Sequence, residues 1–293
     1  MRNTTLIQEQ YNPHSDIIYV RIIIEALRWV LTFMKKLCRY AALSSLAAAM
    51  LMSTGCTSTT DDASSSTIAY NEATTPHYDV VLREDAAAID GNLDDAVWAD
   101  VPSISGGFHF PWDTKEAPLT VFKGYHDGTD FYFCFEVHDE NVVSEEEWKE
   151  DESTVDNEDR VELFLAGGSI DKPTTEGMPL YYGVEIDPQG RVHDYSIEYY
   201  RHFDGTWNLE GLDSAGVATD DGYIVEGKVP MASLQDLDLI HDNVMRAGVY
   251  RAEFSLPAED GELVQEWISW IDPKTEAPDY HVDSSFGEFR FLQ

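Results

Sequence analysis

Residues 266–291, EWISWIDPKTEAPDYHVDSSFGEFRF, place two indoles three residues apart, Trp267 and Trp270, ahead of a Pro-punctuated polar loop carrying Tyr280 and His281. Rings in that pattern serve either as the edge of a sheet core or as a platform for a ligand. A separation of three puts the two indoles on opposite faces of a strand. One of them can therefore face a ligand while the other is buried.

Carboxylates supply the second chemistry. From Asp139 to Asp159 the chain carries eleven acidic residues against one lysine, Lys149. Such a run is either a solvated loop or a calcium site, since calcium takes about six to eight oxygen ligands. Asp187, in the tight turn IDPQG, is open to the same two readings, metal ligand or turn former. No EF-hand spacing, G-x-S-x-G, H-E-x-x-H or Gly-rich phosphate loop occurs in the chain. Carboxylate pairs at glycosidase spacing arise by chance in so acidic a protein, so the chain is read as non-catalytic.

Charge narrows the partners. The 293 residues hold 19 basic and 55 acidic side chains, a formal net charge of −36. Phosphate backbones need a basic surface, so nucleic acid is excluded as a partner. Neutral polar ligands, divalent cations and a salty medium all suit this balance. Of three cysteines, Cys38, Cys56 and Cys134, only Cys134 lies in the part expected to fold, so packing rather than a disulfide must hold it.

The elements that position these residues begin late. Residues 34–56, MKKLCRYAALSSLAAAMLMSTGC, have the basic start, apolar run and small-residue exit of a secretory signal peptide. Residues 1–33 are read as upstream sequence ahead of a start at Met34. The ending before Cys56 resembles the bacterial lipobox, with Ser53 where Leu is usual. It implies lipidation of Cys56 and anchoring in the outer membrane, since Thr57 is not the inner-membrane-retaining Asp. Residues 56–76 are Ser/Thr/Asp-rich and expected to be a flexible tether.

Residues 77–293 are expected to fold as one domain. Short alternating runs dominate them, among them LTVFKGYHD, DFYFCFEVHD, DRVELFLAG, LYYGVEID, GRVHDYSIEYY, AGVYRAEFSLP and FGEFRF. DSAGVATDDGYIVEGKVP reads as two strands about Asp221 and Gly222, while DGTD and DPQG read as hairpin turns. Helical signal is confined to NLDDAVWADVP, where Asp94 and Asp95 can cap a turn that buries Trp98. The pattern implies an all-β fold: an antiparallel β-sandwich of jelly-roll or immunoglobulin-like type.

In order along the chain, AIDGNLDDAVWADVP, VFKGYHDGTDFYFCFEVHDENV, EDRVELFL, DDGYIVEGKVPMASL and WISWIDPKTEAPDYHVDSSFGEFRF resemble the family 9 carbohydrate-binding modules, over nearly all of residues 78–292. The resemblance implies a sandwich that binds plant or algal polysaccharide such as xylan or glucan, gripping a chain end between two aromatic rings, with structural calcium nearby. Related sandwiches bind haem b through a Met and a Lys or His. Met178, Met231 and Met245 with His138 or His281 are the groups available here. A structural envelope lipoprotein is the remaining alternative.

Carried over by position, Tyr280 stands where the family has its second tryptophan. Asp156 stands at the place of the first, so that ring is missing or supplied by Trp148. Asp139 and Glu162 match polar partners, and Glu185 stands where the family has an arginine. Asp159 and Asp187 are the metal candidates. Arg251 and Glu253 alternate with Tyr250 and Phe254 on one strand, and either pair on the surface or point into a site. Trp112 and Trp207, in turn-rich loops, complete the candidates with Trp267 and His281.

Overall fold

The alternating runs fold as strands throughout the computed structural model, which describes residues 76–145, 147–167, 180–198, 200–255 and 264–293. The signal peptide, Cys56, the tether and Met178 lie outside the described residues. The strands are β1 His77–Leu82, β2 Ser103–Ser105, β3 Thr120–His126, β4 Asp130–His138, β5 Arg160–Ala166, β6 Leu180–Ile186, β7 Val192–Glu198, β8 His202–Asp204, β9 Asp213–Thr219, β10 Gly222–Pro230, β11 Val244–Ser255, β12 Val264–Ser269 and β13 Gly287–Phe291. One short α-helix, α1 Met231–Asp236, follows β10. Among the described residues no helix is long and apolar enough to cross a membrane.

Hydrogen bonding runs in the order β8-β7-β6-β5-β11-β13-β1-β3-β4-β10-β9, with β12 on β11 and β2 on β3. The path folds over at β1. Residues 77–80 pair with β13 and residues 81–82 with β3, so one strand serves two sheets. Both pairings are parallel, whereas the others are antiparallel. The expected all-antiparallel pattern therefore gives way to a mixed one at β1, whose first residues lie beside the last strand of the chain.

The two sheets pack face to face. Phe122, Phe131, Phe133 and Phe135 from β3 and β4 meet Val161, Leu163, Val249, Phe289 and Phe291 from β5, β11 and β13 in one core. Phe122 stacks on Phe289 at 5.5 Å, and Phe131 meets Phe291 edge-on at 5.8 Å. Burying one such side chain is worth about 1.5–3 kcal/mol.

The outer faces are also covered. Outside β3 and β4, Trp98 packs edge-on against Tyr125 and donates from Nε1 to Glu226 at 2.9 Å. Its 3₁₀ turn, Ala96–Asp100, lacks a side-chain cap. Asp95 instead accepts the Ala88 amide at 2.8 Å. Outside β5, β6, β7 and β11, Phe164, Tyr181, Tyr195 and Tyr250 are roofed by Tyr280 and Phe286 from the connection between β12 and β13. β5 is consequently buried at every position.

The turns follow their residues. Asp127 accepts the Thr129 and Asp130 amides between β3 and β4, beside Gly128 in the left-handed region. Asp187 and Gly190 do the same between β6 and β7.

Candidate functional site

β5 reads RVELFLA, and its two-residue period sends Val161, Leu163 and Leu165 into the inter-sheet core and Arg160, Glu162 and Phe164 to the other face. On that face Glu162 lies directly opposite Glu185 of β6. Like charges opposite each other destabilise a sheet. Arg160 relieves the clash: its Nε lies 2.9 Å from Glu162 Oε1 and 2.7 Å from Glu185 Oε2, and a terminal nitrogen donates to the Val155 carbonyl at 3.0 Å. The Tyr195 hydroxyl donates to Glu185 at 2.6 Å.

All three charged groups are buried, and two carboxylates share one guanidinium. Burial, reinforced by Glu185 and opposed by Arg160, pushes the Glu162 carboxyl up to about 8.

Rings surround this polar floor. Trp112 and Trp267, both half-buried, contact Tyr280 at centroid distances of 5.7 and 5.9 Å, and the Arg160 guanidinium lies 5.5 Å from the Trp267 ring. Tyr280 stacks on Tyr250 at 4.1 Å and donates to the Ile268 carbonyl at 2.8 Å. His281 stacks on Phe164 at 4.9 Å, and its Nδ1 lies 3.0 Å from the Tyr181 hydroxyl. Burial, then Arg201, pulls its imidazole down to about 4, so it is neutral at ordinary pH. Arg201 and Asp279, 3.6 Å apart, complete the lining.

Trp112, Trp267, Tyr280, His281 and the charged groups around Arg160 line a half-open cavity of ≈ 130 Å³. That is roughly the share of four liquid waters, enough for one small ring. Indole walls over a charged, hydrogen-bonding floor suit a ligand with a flat apolar face and a rim of hydroxyls.

Five of the sequence candidates, Trp112, Glu162, Trp267, Tyr280 and His281, thus meet in one cavity. Tyr280 is 5 % exposed, so it lies beneath the indoles rather than standing out as the platform itself. Arg160, Arg201 and Asp279 join them without having been singled out. Arg160 was readable, since it sits two residues before Glu162 on the same strand face.

Trp148 and Trp207 stand elsewhere. Trp148 lies under the Arg191 guanidinium at 4.8 Å, and Trp207 packs on Tyr182 at 4.5 Å against the inter-sheet core.

Asp139, Arg251 and Glu253 form a separate cluster. The alternation on β11 is the reverse of a core-facing Tyr250 and Phe254: Tyr250 lies under the roof, Phe254 lies 5.7 Å from the Arg160 guanidinium, and Arg251 points inward. Arg251, fully buried, donates to the His138 carbonyl at 3.0 Å and pairs with Asp139 at 3.4 Å and with Glu253. Asp159 accepts the amides of Val143 and Phe254 at 2.5 and 2.7 Å.

Carboxylate oxygens of Asp139, Asp159 and Glu253 lie within 4.8 Å of one another. Around them Arg251 Nε and the Tyr223 hydroxyl are buried with no hydrogen-bond partner among the described residues, while Asp139 Oδ2 faces the Arg251 guanidinium at 3.4 Å. Burial, opposed by nearby amides, raises Asp159 to about 8. Burial, opposed by Arg251, raises Glu253 to about 7. Three clustered carboxylates offset by the single guanidinium of Arg251 are hard oxygen donors of the kind calcium takes.

Asp187 is placed differently. Its Oδ1 accepts the amides of Gln189 and Arg191, and its Oδ2 pairs with Arg191 Nε at 2.5 Å, so it shapes its turn. Of the groups considered for haem, Met245 is fully buried between the sheets, Met231 opens α1, and His138 lies 3.1 Å from Asp221.

Residues 89–292 match the family model described as carbohydrate family 9 binding domain-like. A candidate carbohydrate-binding protein from Bacteroides uniformis shares 14% identity and a TM-score of 0.53, covering 75% of this chain and 100% of its own. A family 9 carbohydrate-binding module from Caldicellulosiruptor kristjanssonii shares 19% identity. Its cellotriose complex has a TM-score of 0.47 over 74% of this chain and 93% of its own. Its glucose complex has 0.43 over 73% and 96%. No curated protein matches the chain. At these identities the solved structures speak to fold alone.

The raised Glu162 carboxyl has a consequence for stability. Its proton is kept in the folded protein and lost from the unfolded chain above about pH 4.3, so its contribution is complete below that pH and falls away toward about 8. Glu162→Gln, which mimics the protonated form, is expected to flatten this decline. Between pH 5 and pH 8 the melting temperature of the variant should gain at least about 3 °C on the parent. Parallel curves for the two proteins would contradict the charge balance described.

Proposed function

Because the chain belongs to the carbohydrate family 9 binding domain-like family, we propose that it is a non-catalytic carbohydrate-binding module whose site is the Trp112–Trp267 cavity outside β5 and β6. The observation that carries this reading is the meeting of two half-buried indoles with an Arg160–Glu162–Glu185 floor in one small cavity. Arginine and carboxylates fork to vicinal hydroxyls, while indoles cover the apolar face of a pyranose. The volume suits one terminal ring of a plant or algal polysaccharide such as xylan or glucan. With a formal net charge of −36 on the chain, neutral sugars are favoured over uronates.

The test is calorimetric titration with cello- and xylo-oligosaccharides, beginning with the glucose and cellotriose held by the Caldicellulosiruptor module. Millimolar to micromolar binding is expected, weakened at least about tenfold by Trp267→Ala, which is ~1.4 kcal/mol. Saturable binding that Trp267→Ala leaves intact would move the site elsewhere.

Calcium is proposed as a structural ion held by Asp139, Asp159 and Glu253, a reading supported by three clustered carboxylates that only Arg251 offsets among the described residues. Its chemistry there would be to neutralise buried carboxylates. At a hundredfold excess over Kd it would contribute about 2.7 kcal/mol of stability, seen as a higher melting temperature that Asp139→Asn abolishes. No response to calcium after chelation would remove the ion.

Export and anchoring through Cys56, in a cell-envelope lipoprotein of carbohydrate catabolism at the outer membrane, are proposed from the leader sequence. Membrane fractionation of the native host should find Cys56→Ala in the soluble fraction; its retention in the membrane would rule out the anchor.

A further inference from the structure

The connection from β7 to β8 is tied to the cavity rim. Glu198 pairs with His202, and within the three-residue connection Arg201 takes φ 62, the left-handed position usually given to glycine. That conformation accompanies a guanidinium placed in the cavity lining, 3.6 Å from Asp279. The Tyr200 hydroxyl donates to the same carboxylate, and Asp279 Oδ1 accepts the His281 amide at 2.9 Å. The connection and the lining are thereby joined at one residue.

Beyond this rim lies an exposed aromatic surface. Phe203, on the strand that ends the sheet, is 50 % exposed, and Tyr200, in the connection before it, 42 %. Phe203 meets His281, a cavity-lining ring, at 5.1 Å and 89°, and Tyr195 at 5.4 Å and 72°. An apolar ring left in water on an end strand is a liability for a soluble sheet. Here it adjoins the cavity through His281, which lines it. A chain whose end enters that cavity must leave across its rim, and Phe203 stands next to it.

We infer that Phe203 forms a second sugar subsite, so that the module takes a chain with one ring in the cavity and the next over β8. This inference rests on the sugar-binding reading of the cavity and adds to it a requirement for at least a disaccharide. Exposed aromatic faces that stack on successive rings are tolerant of sequence and linkage, so the second subsite contributes affinity for length more than for identity.

The test is NMR-detected titration with glucose against cellobiose and xylose against xylobiose, a method that reads millimolar affinities. The parent protein is expected to bind a disaccharide at least tenfold more tightly than its monosaccharide. This ratio should fall at least fivefold in Phe203→Ala and be retained in Phe203→Trp. A ratio unchanged in Phe203→Ala, or a parent that binds cellobiose and xylobiose no more tightly than glucose and xylose, overturns the second subsite while leaving the cavity reading in place. A parent that binds none of the four sugars overturns the cavity reading, and the subsite with it.

Discussion

One guanidinium held by two carboxylates on the outer face of a sheet fixes much of this molecule. Arg160 cannot be buried without Glu162 and Glu185, and those two, directly opposite each other on β5 and β6, cannot be buried together without Arg160. Breaking such a group by removing one member typically costs about 3–5 kcal/mol. It also fixes the register. A slip of β5 by one residue would drive Arg160 and Glu162 between Phe-rich sheet faces and turn Leu163 into the cavity.

The roof over that group follows the same logic in apolar terms. Tyr280 lies on Tyr250, which is directly opposite Glu162 across the sheet, and the Tyr250 hydroxyl donates to Ser285 Oγ at 2.7 Å. Ser285 in turn bonds the Tyr280 carbonyl at 2.5 Å. These contacts hold the connection between β12 and β13 onto the sheet, where Trp112 joins it by donating to the Thr275 carbonyl at 3.0 Å. The walls of the cavity are thus ordered before any ligand arrives, which lowers the entropic cost of binding.

Most strands were legible as alternation, and their turns as Asp and Gly. β1 was not, because its parallel partners are the far end of the chain and β3, a relation that no local pattern encodes. β8 was hidden because its three residues are all exposed and carry no alternation.

The site was half legible for a related reason. Arg160-x-Glu162 and Arg251-x-Glu253 have the same local form, yet one faces the cavity and the other the space between the sheets. When both faces of a sheet are covered, a period of two separates two sets of residues without saying which is inside. Trp112 and Trp207 differ likewise only in what their loops fold against: the roof in one case, Tyr182 in the other.

The central claim is that ligand enters between Trp112 and Trp267 above Arg160. Six indoles belong to residues 77–293, and their side-chain N–H signals report on each one separately. On titration with cello- or xylo-oligosaccharide, the signals of Trp112 and Trp267 should move together and saturate while those of Trp98, Trp148 and Trp207 stay in place. Saturable binding that moves Trp148 or Trp207 and leaves Trp112 and Trp267 unmoved would contradict the account.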